Sequence, residues 1–207
     1  TAGTDLPALL AAAVVGARAK PGDILAVAHK IVSKAEGQTI VLADVVPSAA
    51  ALALADETGK DPRLCEVILG QTRRIVRRRG ATLICETHHG FVCANAAVDA
   101  SNTAPGTVIV LPRDPDRSAR HIQSRVSAAV GGRVGVVITD THGRAFRRGI
   151  VNIAIGAAGF RTVVDHRGTV DREGRVMVAT EQALGDELAA AAGILMDKAG
   201  GLPAVLI

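Results

Sequence analysis

Short β-branched runs alternate with alanine- and leucine-rich stretches along this chain. Ile24 to Ala28, Thr39 to Leu42, Thr82 to Glu86, Thr107 to Leu111 and Arg133 to Thr139 are apolar runs of strand length bounded by turn residues. Phe91 to Cys93 reads as a return strand after the turn His88-His89-Gly90. Asp5 to Arg18, Pro47 to Thr58, Asp61 to Arg79 and Ala119 to Val130 predict helices, with Pro7 and Pro62 at starts and Asp61 as a cap. In the Asp61–Arg79 helix, Leu64, Val67, Ile68, Gln71 and Ile75 make one face. Arg73, Arg74, Arg77, Arg78 and Arg79 make its exposed C-terminal end. Arg161 to His166 and Arg175 to Val178 predict strands around the turn Asp171 to Gly174. Thr180 caps a long helix from Glu181 to about Lys198, ended by Gly200-Gly201, and Pro203 to Ile207 is a last strand. The glycines of Ile150 to Gly159 suit close packing or a turn; they form neither a GxGxxG nor a Walker A loop. No clean βαβ alternation emerges, so the expected class is α+β, with mixed sheets and packed helices. The 207 residues make one unit, or two intertwined subdomains.

Composition narrows the chemistry. With 3 Phe, no Trp and no Tyr, the core is built from Ala, Val, Ile and Leu. Base stacking on aromatic platforms is argued against. The net charge of +4 suggests an anionic partner without identifying it. Cys65, Cys85 and Cys93 form no CxxC, so neither a disulfide framework nor a zinc site is indicated. No apolar run reaches the roughly 20 residues of a membrane span, and the first residues given do not read as a basic stretch followed by a cleavable apolar core. A cytoplasmic protein with reduced thiols is expected. The start at Thr1 and the end in Ala204-Val-Leu-Ile207 suggest that terminal segments are absent.

Three stretches carry candidate chemistry. In Gly135 to Gly149, a buried strand ends in Asp140, Thr141 and His142, followed by Arg144, Arg147 and Arg148. A carboxylate there beside a cationic loop suits a hard metal ion and phosphate; an ordinary polar loop is the alternative. Lys30 and Lys34, four residues apart, share a face if His29 to Gly37 is helical, and they repel unless an anion sits between them. The alternative is a solvated basic turn. Asp99, among small residues and followed by Ser101 and Asn102, suits a second oxygen ligand for a metal; a helix cap or an Asx turn is the alternative. His88 and His89 are adjacent and cannot share one face, which argues against a bis-His metal site.

These stretches, in this order, resemble the coenzyme F420:L-glutamate ligase family, the γ-glutamyl ligases of F420 biosynthesis. The resemblance rests on His29-Lys-Ile-Val-Ser-Lys-Ala-Glu-Gly37, Lys60-Asp-Pro-Arg-Leu64, His89-Gly-Phe-Val-Cys-Ala-Asn95 leading into Val98-Asp-Ala-Ser-Asn102, Leu111-Pro-Arg-Asp-Pro-Asp116, Ile138-Thr-Asp-Thr-His-Gly-Arg144, Ala154-Ile-Gly-Ala-Ala-Gly159 and Thr180-Glu181. It implies an intertwined homodimer and a ligase that uses GTP and Mg²⁺ or Mn²⁺ to phosphorylate the F420 precursor's carboxylate, which L-glutamate's amine then attacks. It places Asp99, Asp140 and Thr141 at the metal, and His29, Lys30, Lys34 and Asn102 at the nucleotide. Arg144 and Arg147 are added from their own chemistry as phosphate or carboxylate clamps. The chain departs from the family pattern at Ala97, Ile150, Asn152 and Met196-Asp197-Lys198, and lacks the family's opening Leu-Pro segment. A paralogue joining a different acid and amine is therefore a second reading. A nucleic-acid-binding protein using Arg73 to Arg79 is a third, although the leading reading carries no nucleic acid and no membrane partner.

Overall fold

The computed structural model describes residues 2–143, 146–196 and 200–207. Its elements run α1 (Leu6–Gly16), β1 (Ile24–Ala28), α2 (His29–Ala35), β2 (Thr39–Val41), α3 (Ala49–Thr58), α4 (Pro62–Gln71), β3 (Thr72–Arg79), β4 (Thr82–Thr87), β5 (Val92–Ala94), β6 (Thr107–Ile109), α5 (Pro115–Val130), β7 (Gly135–Gly143), β8 (Ile150–Ala158), β9 (Val164–Asp165), β10 (Glu181–Gln182), α6 (Leu184–Gly193) and β11 (Ala204–Leu206). The class is mixed α and β, as expected. No helix of the described residues is long and apolar enough to cross a membrane. The chain divides into two compact units. One is drawn from Thr1–Thr4, Lys30–Asp114 and His142–Gly149, the other from Asp5–His29, Pro115–Thr141 and Ile150–Ile207.

The second unit is built on a sheet ordered β11-β1-β7-β8. β1 runs parallel to β7 and antiparallel to β11. Val136, Val137 and Ile138 have no exposed surface, which is why this strand reads as an unbroken apolar run and not an alternating one. Helices α5 and α6 pack on β8, and α1 packs on α5. Gly156 makes the α5 contact possible: a Cβ there would lie 2.5 Å from the Pro115 carbonyl carbon. β8 ends the strand order, and two helical carboxylates take up backbone donors along it. Asp186 accepts from the Ala154 N–H and Asp116 from the Ala157 N–H, each at 2.9 Å.

In the first unit a three-stranded sheet, β3-β4-β5, and a two-stranded ladder, β2-β6, enclose a core with α3 and α4. Leu54, Cys65, Ile68, Leu83, Cys85, Val108 and Val110 are among its buried members. The cap predicted at Asp61 is in place: it accepts the Arg63 N–H, with Pro62 opening α4. Ser48 accepts the Ala51 N–H at the start of α3.

Several predicted elements are corrected. The helix expected from Asp61 to Arg79 stops at Gln71, and the arginine-rich segment is strand β3. Gly80, with φ 53°, opens a two-residue loop that folds β3 onto β4, pairing Arg79 with Thr82. Cross-strand contacts from Arg73 and Arg74 to Glu86 hold the pair, and Arg78 pairs with Glu57. Helix propensity of arginine lost here to a glycine turn and β-branched Thr72, Ile75 and Val76. The helix expected from Glu181 begins only at Leu184, because Glu181 and Gln182 pair with Asp165 and Val164. Ile150 to Ala158, read as a turn or packing segment, is a nine-residue strand. Arg161–His166 shortens to β9, and Arg175–Val178 keeps one bridge, Val170 to Val176.

Candidate functional site

In the second unit the parallel register of β1 and β7 decides the first cluster. Ala28 lies opposite Thr139, so His29 and Asp140 follow side by side at the carboxyl ends of two adjacent parallel strands. That end of a parallel sheet is where side chains converge beyond the last ladder bonds. His29 Nε2 lies 3.2 Å from Asp140 Oδ1, and both side chains are largely buried. The Thr141 N–H donates to the same Oδ1 at 2.7 Å. β7 continues past the expected strand end, so Asp140, Thr141 and His142 are strand residues and not loop residues. The Thr141 hydroxyl donates to Asn152 Oδ1 on β8 at 2.9 Å, and Asn152 Nδ2 points to Met196 Sδ at 3.9 Å. Gly193 lets α6 approach: a Cβ there would sit 3.1 Å from Asn152 Cγ.

In the first unit the second cluster is organised by the loop Asp99 to Asn102. A reciprocal backbone pair with Ile109 fixes Asp99 beside β6. Residues Asn95, Ala96 and Ala97, just before it, all have positive φ (52°, 51° and 59°), an unusual run for residues with a Cβ. Asp99 Oδ1 accepts the Ser101 N–H at 2.6 Å, which forms an Asx turn. Its Oδ2 also faces the Lys30 ammonium at 2.7 Å and accepts from the Ser101 hydroxyl at 2.9 Å. Burial pushes the Asp99 carboxyl up, but hydrogen bonds from Lys30 and Ser101 together outweigh it and hold the pKa below the usual aspartate value. Lys34, one turn along α2 from Lys30, donates to the Asn102 carbonyl at 2.7 Å. The two lysines share a face as predicted, and loop oxygens separate their charges.

The predicted residues thus fall into two groups: Lys30, Lys34, Asp99 and Asn102 in the first unit, His29, Asp140 and Thr141 in the second. Arg147 is exposed and forms no ion pair among the described residues. Arg144 lies outside the described residues, as does Asp197. Sequence reading missed Ser101 as a partner of Lys30, and Asn152 as a partner of Thr141. The small residues around Asp99 pointed toward the first; nothing local pointed to the second, which depends on a neighbouring strand. A cleft of about 220 Å³ in the second unit, lined by Asp116, Gly156, Thr162, Gly185 and Asp186 among others, contains none of the predicted site residues.

Carboxylate, hydroxyl and carbonyl oxygens are the donor chemistry of hard cations. Among the described residues no group of three His, Cys, Asp or Glu side chains is placed to hold a metal. A hard ion shared between a single carboxylate and a ligand's phosphates needs no such group, and Asp99 in the first unit and Asp140 in the second each offer one carboxylate of that kind.

Comparison with known proteins agrees with the ordered motifs. The family model described as F420-0:Gamma-glutamyl ligase matches residues 1–207. The coenzyme F420:L-glutamate ligase of Methanopyrus kandleri is 52% identical over 205 residues, covering 99% of this chain and 80% of the relative. That of Methanothermobacter thermautotrophicus is 46% identical over 209 residues, covering 100% and 83%. That of Archaeoglobus fulgidus is 38% identical over 206 residues, covering 99% and 81%. The chain therefore belongs to the F420-0:gamma-glutamyl ligase family.

Proposed function

We propose that this chain joins L-glutamate to the F420 precursor through an amide bond, driven by GTP. The precursor carboxylate takes the γ-phosphoryl group and GDP leaves; the glutamate amine then attacks the acyl phosphate and expels phosphate. The observation that carries this reading is the Asp99–Asn102 loop with Lys30 and Lys34 upon it, in a chain whose relatives are named as glutamate ligases. Such chemistry asks the protein for positioning and charge compensation and for no side-chain nucleophile. Asp99, Asp140 and Thr141 are the proposed ligands of Mg²⁺ or Mn²⁺, which when bound offsets phosphate charge. Lys30, Lys34, Asn102 and His29 contact the nucleotide, and Arg147 is a phosphate or carboxylate clamp, as is Arg144. In the first cluster, His29 and the Thr141 N–H hold the Asp140 carboxylate in one orientation. The chain works as a homodimer in this reading.

The test is purified protein with GTP, Mn²⁺, L-glutamate and F420 precursor, following GDP, phosphate and the glutamylated product. Release of GDP and phosphate with product supports the proposal, and Asp99→Asn and Asp140→Asn each lower the rate at least about a hundredfold. Nucleotide turnover with another acid or amine and none with the precursor would place the chain as a paralogue. No turnover of any nucleotide would overturn the reading.

A further inference from the structure

The Lys30 ammonium is surrounded by oxygens of one loop. Its Nζ lies 2.7 Å from Asp99 Oδ2 and donates to the Ser101 carbonyl at 3.2 Å and the Ser101 hydroxyl at 2.5 Å. The side chain is 17% exposed, and that of Asp99 34%. A carboxylate, a carbonyl and a hydroxyl within four residues are the oxygen types that coordinate a divalent cation. Here a monovalent ammonium satisfies them. Lys34 clasps the same loop one carbonyl further on, at Asn102. The loop is therefore held by two lysine ammonium groups, and of these two only Lys30 meets its carboxylate.

We propose that Lys30 is the resident cation of this loop, and that a divalent metal ion and the Lys30 ammonium exclude each other at Asp99 Oδ2. The inference rests on the metal-and-nucleotide reading above and adds an order of events to it. Without metal, Lys30 neutralises Asp99 and holds the loop closed over its own oxygens. A divalent ion that takes Oδ2 meets a positive charge within hydrogen-bond range, and repulsion turns the ammonium out. The four-carbon stem of lysine allows that swing, and the released ammonium is then available to an anionic phosphate. Metal binding and phosphate binding are thereby coupled through one side chain, and by linkage each strengthens the other. An arginine would serve poorly, because its planar fork favours keeping a carboxylate.

Two measurements test this. The first is Mn²⁺ titration without nucleotide, by calorimetry, on the wild-type chain and on Lys30→Met. The methionine keeps the apolar stem and removes the competing charge, so Mn²⁺ binds about tenfold tighter or more, while GTP in the presence of Mn²⁺ binds more weakly. The second uses wild-type protein alone: acetylation by limiting acetic anhydride, read peptide by peptide. Saturating Mn²⁺ raises labelling of Lys30 several-fold, with exposed Lys20 as the unchanged reference. Equal Mn²⁺ affinity in the two proteins, or Lys30 labelling that does not respond to Mn²⁺, overturns the proposal and leaves the metal reading intact, since both proteins still bind the ion. Absence of Mn²⁺ binding in both proteins, with and without GTP, overturns the metal reading and this proposal together. If Lys30→Met fails to fold, the wild-type labelling experiment decides alone.

Discussion

Adding one methyl group at Gly156 tests how β8 is seated. The Cβ of Gly156→Ala would lie 2.5 Å from the Pro115 carbonyl carbon and 2.6 Å from both its oxygen and its Cβ. All three are rigid backbone or ring atoms, so no side-chain rotation relieves the clash. Either β8 or the start of α5 must move. Overpacking of this kind costs about 1–3 kcal/mol, and rigid neighbours argue for the upper half. In a chain of 207 residues, each kcal/mol lowers the melting temperature by roughly 2–4 °C, so a loss of about 5–10 °C is expected. The matched control is Gly70→Ala near the end of α4, where an added Cβ meets nothing within 4 Å and φ is ordinary. That change should raise stability by about 0.4–1 kcal/mol, because alanine narrows the unfolded ensemble and favours helix. Calorimetric melting of both variants beside the wild type is the assay. Because β8 also carries Asn152, Gly156→Ala should weaken the Thr141–Asn152 contact and change any activity as well. If Gly156→Ala melts within 1–2 °C of the wild type, the close seating of β8 on Pro115 is wrong.

Further outcomes follow from the same geometry. Asp99 has a folded pKa below its ordinary 3.8, so its contribution to stability is full above that pH and disappears as pH falls through the lowered value. Asp99→Asn should therefore be less stable than the wild type at neutral pH, and urea midpoints of the two should converge in acid below the ordinary aspartate range. A double-mutant cycle on Thr141→Ala and Asn152→Ala should return a coupling of about 0.5–1.5 kcal/mol by urea unfolding; additivity would deny their hydrogen bond. Leu83→Ala empties a fully buried site in the first unit and should cost about 2–5 kcal/mol in the same assay. Arg77→Ala and Arg79→Ala, on exposed β3, should change stability by less than about 0.5 kcal/mol. In a filter-binding salt titration, steep salt-dependent RNA or DNA binding that these variants abolish would revive a nucleic-acid reading of the strand.

What local sequence determined is visible where short-range physics acts alone. The buried run Val136 to Ile138, the capped starts at Ser48 and Asp61, and the shared face of Lys30 and Lys34 all follow from neighbours within a few residues. The Asx turn at Asp99 belongs with them. Tertiary structure decided the rest. Arg73 to Arg79 has the composition of a helix end, yet a two-residue turn at Gly80 and a partner strand made it β3. Glu181 and Gln182 left the predicted helix because a strand sixteen or so residues earlier claimed their backbone. His29 meets Asp140 only because two strands more than a hundred residues apart run parallel in a register that aligns Ala28 with Thr139. Asn152 became a partner of Thr141 for the same reason, through β8. Residue type and spacing are local, so the sequence by itself put Lys30 and Lys34 on one face and a turn at Asp99. Which cation sits against which carboxylate is set by long-range pairing, and no local pattern encodes that.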